Sequence, residues 1–260
     1  MYPIFLVIHG FVIYWYGVVI AISVYVSFFI FQKLAQKESY SENTIEKIFF
    51  IVVISGVIGG RLLHVLVNPH YYFSHPGEIL DIRQGGLAIQ GALMLPFISV
   101  MVFLRKNKKI NLLILLDILA ICVPIGQAIG RLADFMNGNC YGLPTTGIFA
   151  VQFPELTYSV YPTQLFESFG NFIIFLILYF FIFRKSHKNG DVVGWFFILY
   201  GALRMNLDFL RGDLTAGPVS WTFGLYATQI FGIIFFVFGS AWILYLQFSK
   251  SHRLVKGKNI

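Results

Sequence analysis

Seven stretches of this chain are each apolar for about the ~20 residues that a helix needs to cross hydrocarbon. They run over about residues 11–32, 48–67, 87–104, 111–130, 165–183, 192–210 and 222–247. A bilayer offers no partner to a backbone N–H or C=O, so each stretch has to satisfy its own backbone as a helix. The expected fold is therefore all-α: a polytopic membrane helix bundle of about seven spans, forming a single integral membrane domain over residues 1–260. Composition agrees. Of 260 residues, 57% are hydrophobic and 12% are charged, against about a quarter charged in ordinary soluble domains. One soluble core cannot hide 29 Phe and 14 Tyr among these Ile, Leu and Val runs, which excludes a soluble enzyme and a disordered chain. Pro96 interrupts the third stretch, and bundles tolerate such prolines.

The formal net charge of +7 reads as topology rather than as a nucleic-acid surface. Lys33, Lys37 and Lys47 follow the first span, and Arg105, Lys106, Lys108 and Lys109 follow the third. Arg184, Lys185 and Lys188 follow the fifth, and Lys250, Arg253, Lys256 and Lys258 follow the seventh. These alternate loops lie on one side, which the positive-inside rule makes cytoplasmic. The N-terminus is then expected outside and the C-terminus inside. No cation precedes the first apolar run, so no cleaved signal peptide is expected. Cys122 and Cys140 supply neither a disulfide framework nor a metal cluster.

The remaining cations are all arginines: Arg61, Arg83, Arg131, Arg204 and Arg211. They fall in outer loops or in the outer halves of spans, against the topology rule. Ionisable groups in such places are rare and usually functional, and a guanidinium grips phosphate or carboxylate through two parallel hydrogen bonds. Each arginine sits in a dense polar setting. Gly59-Gly60-Arg61 ends span two, with His64 on the same helical face three residues on. Gln84-Gly85-Gly86-Leu87 leads into span three, with Gln90 beyond. Gly130-Arg131 through Asp134, Asn137, Gly138 and Gly142 leaves span four. Tyr200, Arg204 and Asp208 form an i, i+4, i+8 stripe in span six, which Arg211 continues. The Arg204–Asp208 pair either neutralises itself or aims Arg204 at a ligand. Tyr14-Trp15-Tyr16-Gly17 opens span one as part of an aromatic belt, and Tyr161-Pro162-Thr163-Gln164 with Glu167 opens span five. A long Gly/Pro/Thr-rich outer loop is expected over about 131–164, and loops of that length are more often functional than not. Asp117, deeper in span four, reads as structural. Together these groups describe one wet, arginine-rich cavity facing the outer side, and a phosphate-bearing lipid headgroup suits it.

These motifs, in this order, resemble the prolipoprotein diacylglyceryl transferase family over nearly the whole chain. The likeness rests on Trp15-Tyr16-Gly17, on Gly59-Gly60-Arg61, on Gly85-Gly86-Leu87 and on the run from Gly130 to Gly142. Tyr161-Pro162-Thr163-Gln164 and the stripe from Tyr200 to Arg211 complete it. The resemblance implies a bacterial inner-membrane transferase with its active site on the outer side. It would move a diacylglyceryl group from phosphatidylglycerol to the lipobox cysteine thiol of a prolipoprotein and release glycerol 1-phosphate, without metal or cofactor. Its partners would be phosphatidylglycerol, prolipoprotein signal peptides and membrane lipid, and not nucleic acid. Arg131 and Arg204 would hold the phosphate and stabilise leaving-group charge. Tyr16, Asp134 and Asp208 would join them in catalysis, and Arg61, His64, Gln90, Asn137, Gly142, Tyr200 and Arg211 would line the substrate site. The chain departs from the family where many relatives carry His at Gln90, Asn at Asp134, Glu at Asn139 and Glu at Asp208. A thiol with a pKa of about 8.5 is made more acidic by nearby guanidiniums, and either Asp134 or His64 would take its proton. Two other functions are open: an anion or lipid transporter, which an outer cavity rich in arginine suits, and a relative that binds lipid or lipoprotein without transfer, which the departures at Gln90 and Asn139 motivate. No internal repeat of the kind that builds many transporters is visible.

Overall fold

A computed structural model describes residues 4–8, 11–81, 86–108, 110–185, 187–212, 225–248 and 254–255. The chain divides into two compact units, residues 32–112 and residues 1–31 with 113–260. Among the described residues, six helices are long and apolar enough to cross a membrane, by length and composition.

In the first unit, α2 (Glu42–Val67) starts six residues before the apolar stretch does. Ser41 caps it, its hydroxyl accepting from the Thr44 N–H at 3.4 Å. A short α3 (Pro69–Ser74) and a 3₁₀ turn (Pro76–Glu78) follow. Over the third expected span lies α4 (Ile89–Lys106), 18 residues long with Pro96 inside it. α2 and α4 meet where Gly59 faces Gly91 so closely that a Cβ on either would run into the other's carbonyl. The Ala88 N–H donates to the Gly60 carbonyl at 2.9 Å. The glycine pairs are thus where two helix backbones touch, as small residues permit within a bilayer.

The second unit opens on a hairpin, β1 (Ile4–Ile8) and β2 (Phe11–Tyr14), paired antiparallel. This corrects the expected all-helical start at residue 11: the first helix, α1, covers Trp15–Lys37. The cause is local. Hydropathy cannot tell an apolar strand from an apolar helix, and a run of β-branched and aromatic residues around Gly10 favours a hairpin. A second ladder of two residues pairs β3 (His187–Lys188) with β4 (Leu254–Val255).

α5 (Leu112–Asn137) lies against α1, where Ser23 Oγ donates to the Gly126 carbonyl at 2.7 Å. α6 (Thr163–Leu176) joins α5 through Ser168 Oγ to the Ala128 carbonyl, also at 2.7 Å. It continues as a wider π-helical segment, Ile177–Phe183. α7 (Asp191–Leu207) ends in a 3₁₀ turn, Asp208–Leu210, and packs on α8 (Ala227–Phe248). Their contact line is built from glycines seven apart: a Cβ on Gly201 would lie 2.6 Å from the Gly232 carbonyl, and one on Gly239 2.7 Å from the Gly194 carbonyl.

The start of α7 is held from outside itself. Asp117, buried in α5, accepts from the Gly190 N–H at 2.7 Å and from the Val193 N–H at 2.9 Å. A carboxylate there satisfies donors that a helix start leaves without intrahelical partners and complements its dipole. Trp242 Nε1 of α8 donates to the Gly190 carbonyl at 3.0 Å. Asp117→Ala should therefore cost about 3 kcal/mol, because it strands buried donors, and Asp117→Asn, which keeps an acceptor, should cost less. Thermal unfolding of the purified variants in detergent measures both. Equal stability of Asp117→Ala and the unmodified chain would show that this clamp carries no weight.

Candidate active site

The described residues bring one set of site candidates together in the second unit. The sequence pattern places Arg131 and Asp134 at the start of the long outer loop. They stand instead on the last turns of α5, which runs on to Asn137 before Gly138 turns the chain out at φ +73°. Glycine supplies that left-handed step without a Cβ penalty. The loop proper thus begins about seven residues later than expected. On the helix, Arg131 and Asp134 are three apart, and Arg131 Nη1 meets Asp134 Oδ2 at 2.6 Å. On α7, Arg204 Nη2 lies 2.9 Å from Asp208 Oδ1, the i, i+4 pair that the polar stripe implies.

The two arginines share a third acid. Glu167 of α6 places a single oxygen, Oε1, 2.9 Å from Arg131 Nη2 and 3.0 Å from Arg204 Nη1. Its side chain is 6% exposed, and those of Arg204 and Asp208 are 11% and 0% exposed. One atom thus links helices α5, α6 and α7. Asn171 Nδ2 donates to the Glu167 backbone carbonyl at 2.8 Å. Such a buried network survives because each guanidinium meets two carboxylates, which offsets the cost of dehydrating it.

The remaining candidates of this unit take distinct positions. Tyr16, second residue of α1, is half-exposed and lies within electrostatic reach of Arg131, Asp134 and Cys140. Tyr200 is hydrogen-bonded to Gln127 of α5 and feels the charges of Arg204, Glu167 and Arg131. Arg211 acts on Asp134 through its charge. Asn137 is exposed at the end of α5. Gly142 is buried in a seam of backbone: its N–H donates to the Tyr161 carbonyl at 2.8 Å, and the Leu143 N–H to the Leu210 carbonyl at 2.8 Å. That seam ties the end of α5, the start of α6 and the end of α7 to one another. Thr163 Oγ1 and Gln164 Nε2 reinforce it, donating to the Cys140 and Asn139 carbonyls at 2.8 and 2.5 Å.

The other candidates belong to the first unit. Arg61 spends its guanidinium on backbone carbonyls: Nε on Ile79 at 2.9 Å, Nη1 on Gly86 at 3.1 Å and Nη2 on Glu78 at 2.5 Å. It also stacks over Tyr72, 5.2 Å from the ring centre. These bonds fasten Glu78, Ile79 and Gly86 to α2. His64 stands beside it, and a cavity of about 310 Å³ opens between them, Tyr72, Glu78 and Asp81. At its edge Tyr71 donates to Glu78 Oε2 at 2.7 Å, and this charged acceptor pushes the phenol above the usual tyrosine range. Gln90 is the second residue of α4; its side chain lies outside the described residues, as do Arg83, Gln84 and Gly85.

Sequence reasoning places Glu167 at the opening of a span and gives it no role. A signal is nonetheless present: it is the lone charged side chain in the apolar stretch 165–183, and an acid in such a place needs a cationic partner.

Long apolar helices around two carboxylate-paired guanidiniums, Arg204 buried and Arg131 partly so, define a class: a multi-pass membrane protein. The particular family follows from comparison. The sequence profile of the prolipoprotein diacylglyceryl transferases matches residues 3–245, and the chain belongs to that family. Three relatives carry the name phosphatidylglycerol–prolipoprotein diacylglyceryl transferase. The one from Finegoldia magna is 38% identical over 206 residues, 79% of this chain and 82% of the relative. The one from Rickettsia canadensis is 34% identical over 251 residues, 93% and 95% of the two chains. The one from Clostridium tetani is 32% identical over 243 residues, 92% and 96%.

Proposed function

We propose that this chain transfers a diacylglyceryl group from phosphatidylglycerol to the cysteine thiol of a prolipoprotein lipobox and releases glycerol 1-phosphate. The observation that carries the proposal is the convergence of Arg131 Nη2 and Arg204 Nη1 on one oxygen position, at 2.9 and 3.0 Å. Donors at such distances from a developing negative charge lower the barrier to its formation. In the reaction, the thiolate attacks the glyceryl carbon, the carbon–oxygen bond to phosphate breaks, and charge gathers on the leaving phosphate. Arg131 and Arg204 hold that group. Asp134 and Asp208 hold the guanidiniums by their other edges, and Tyr16, Tyr200 and Gly142 shape the surroundings. Asn137 and Arg211 stand at the rim toward the peptide, and Arg61, His64 and Gln90 serve the lipid.

The topology proposed with this function has seven spans, α4 being the seventh, in a bacterial inner membrane. The N-terminus is outside, and the end of α5 that carries Arg131 faces the outer side. The alternating loop cations support it.

The deciding assay mixes purified protein, phosphatidylglycerol vesicles and a lipobox peptide, and scores peptide mass and glycerol phosphate. The expected result is a diacylglyceryl mass gain that vanishes when the peptide cysteine is changed to serine. No gain, beside an active relative in the same vesicles, would refute the transferase and leave a lipid-binding relative.

A further inference from the structure

We propose that Glu167 is the exchangeable counter-ion of this site: the phosphodiester displaces its carboxylate from Arg131 and Arg204, and the freed carboxylate takes the proton of the attacking thiol. The inference rests on the transferase function proposed above and deepens it.

Charge and geometry lead to it together. The described cluster sets three carboxylates, Asp134, Glu167 and Asp208, against the two guanidiniums of Arg131 and Arg204. Take Glu167 away and each arginine keeps one acid: Arg131 with Asp134 at 2.6 Å, Arg204 with Asp208 at 2.9 Å. Two neutral pairs remain. The N–H groups vacated are Arg131 Nη2 and Arg204 Nη1, which point at one spot. Glu167 Oε1 therefore occupies the position at which a phosphate oxygen would be bound by both arginines. It stands in for the substrate's charge between turnovers.

Asp134 and Asp208 do not fit that description. Each contacts a single guanidinium from the same helix or its extension, at i, i+3 and i, i+4. Neither lies between the arginines. Glu167 comes from a third helix, and its carboxylate must leave for a phosphate to bind there.

The displaced acid then has a use. A carboxylate parted from its cations where its side chain is only 6% exposed is poorly solvated and is a ready proton acceptor. The groups that face it are Arg131 and Asp134 from α5 and Tyr200, Arg204 and Asp208 from α7 and its extension. Arg211 adds charge near Asp134, and Tyr16 of α1 lies by Arg131 and Asp134. With the arginines committed to phosphate, none of these is better placed to take a proton. The balance closes. The S–H proton goes to Glu167, sulfur bonds to the glyceryl carbon, and the C–O electron pair leaves on phosphate. The proton then passes from Glu167 to the phosphate or to water. As glycerol phosphate departs, the carboxylate returns to the arginines.

The test is Glu167→Gln in phosphatidylglycerol nanodiscs, with lipid binding and pH-dependent turnover read separately. Expected are phosphatidylglycerol binding within about threefold of the unmodified chain and turnover near pH 7 lower by about 10²–10⁴-fold, the usual contribution of a general base. The acid limb of the turnover profile should vanish, and added hydroxide should restore rate. Glu167→Asp, which keeps the carboxylate, should retain the limb at reduced rate, and this variant decides the matter if the glutamine form does not fold. Undiminished turnover in Glu167→Gln overturns the proposal. So does loss of lipid binding as complete as in Arg131→Ala, which would make Glu167 a fixed brace. Removal of the limb by Asp134→Asn instead would assign the proton to Asp134. Absence of transfer by the unmodified chain is a separate result: it would sink the transferase function itself.

Discussion

Arg204→Ala is expected to lower turnover by about 10³-fold, the upper end of what one lost charge-stabilising donor costs. Its Nη1 is one of the two groups aimed at the shared oxygen position, 3.0 Å away. The same truncation leaves Asp208, whose side chain is fully buried, and Glu167 with one cation fewer. Breaking a buried pair in this way typically costs about 3–5 kcal/mol, so stability should fall as well. Arg204→Lys separates the two effects. An ammonium restores charge but is a compact donor rather than a fork, and it cannot span Glu167 and Asp208 as the guanidinium does. Much of the stability should return while turnover stays about 10²-fold down. Transfer assays and thermal unfolding on the same preparations give both numbers. If the lysine variant turned over like the unmodified chain, a forked grip would not be required here.

Gly142 carries the second large expectation. A Cβ at this position would sit 2.6 Å from the Leu210 carbonyl oxygen, and 2.8 Å from both Thr163 Cγ2 and Tyr161 Cβ. The first of these is backbone and cannot swing aside. Gly142→Ala should therefore break the seam that joins the end of α5, the start of α6 and the end of α7. Overpacking of this kind costs about 1–3 kcal/mol. Activity should suffer more than stability, because Arg131, Glu167 and Arg204 sit on those three helices and depend on spacings of a few tenths of an ångström. A loss of about 10²-fold in turnover with a modest drop in melting temperature is the expected outcome. An alanine variant as active as the original would mean that the seam is pliable.

Much of this molecule is legible in its sequence. Length and hydropathy locate the helices, because a segment in lipid has few choices. Spacing alone pairs Arg204 with Asp208. What is not legible follows from the same physics. The paired strands Ile4–Ile8 and Phe11–Tyr14 are apolar, so a hydropathy window cannot separate the second of them from the helix it precedes. The last turns of α5 are hidden by their polarity, since Arg131, Asp134 and Asn137 look like a loop to a scan for apolar runs. The bonds from Arg61 to the Glu78, Ile79 and Gly86 carbonyls, 17, 18 and 25 residues away in sequence, are likewise invisible to a local pattern. Glu167 is the least legible of all. Its importance comes from two partners 36 and 37 positions away on different helices, and no local pattern encodes such a meeting.

The backbone seam at Gly142 also partitions the chain for an engineer. Residues 144–159 leave it and return to it: Pro144 and Val151 both bridge to Val160, and Phe153 is buried against Phe135 and Tyr141. Between those anchors lie short exposed arcs, with Ile148 94% exposed. Lengthening a loop whose ends are already fixed costs little, about 0.6 kcal/mol for each doubling. The arcs around Ile148 and Glu155 are thus natural grafting points, where an epitope or a reporter could be inserted with the arginine centre left intact.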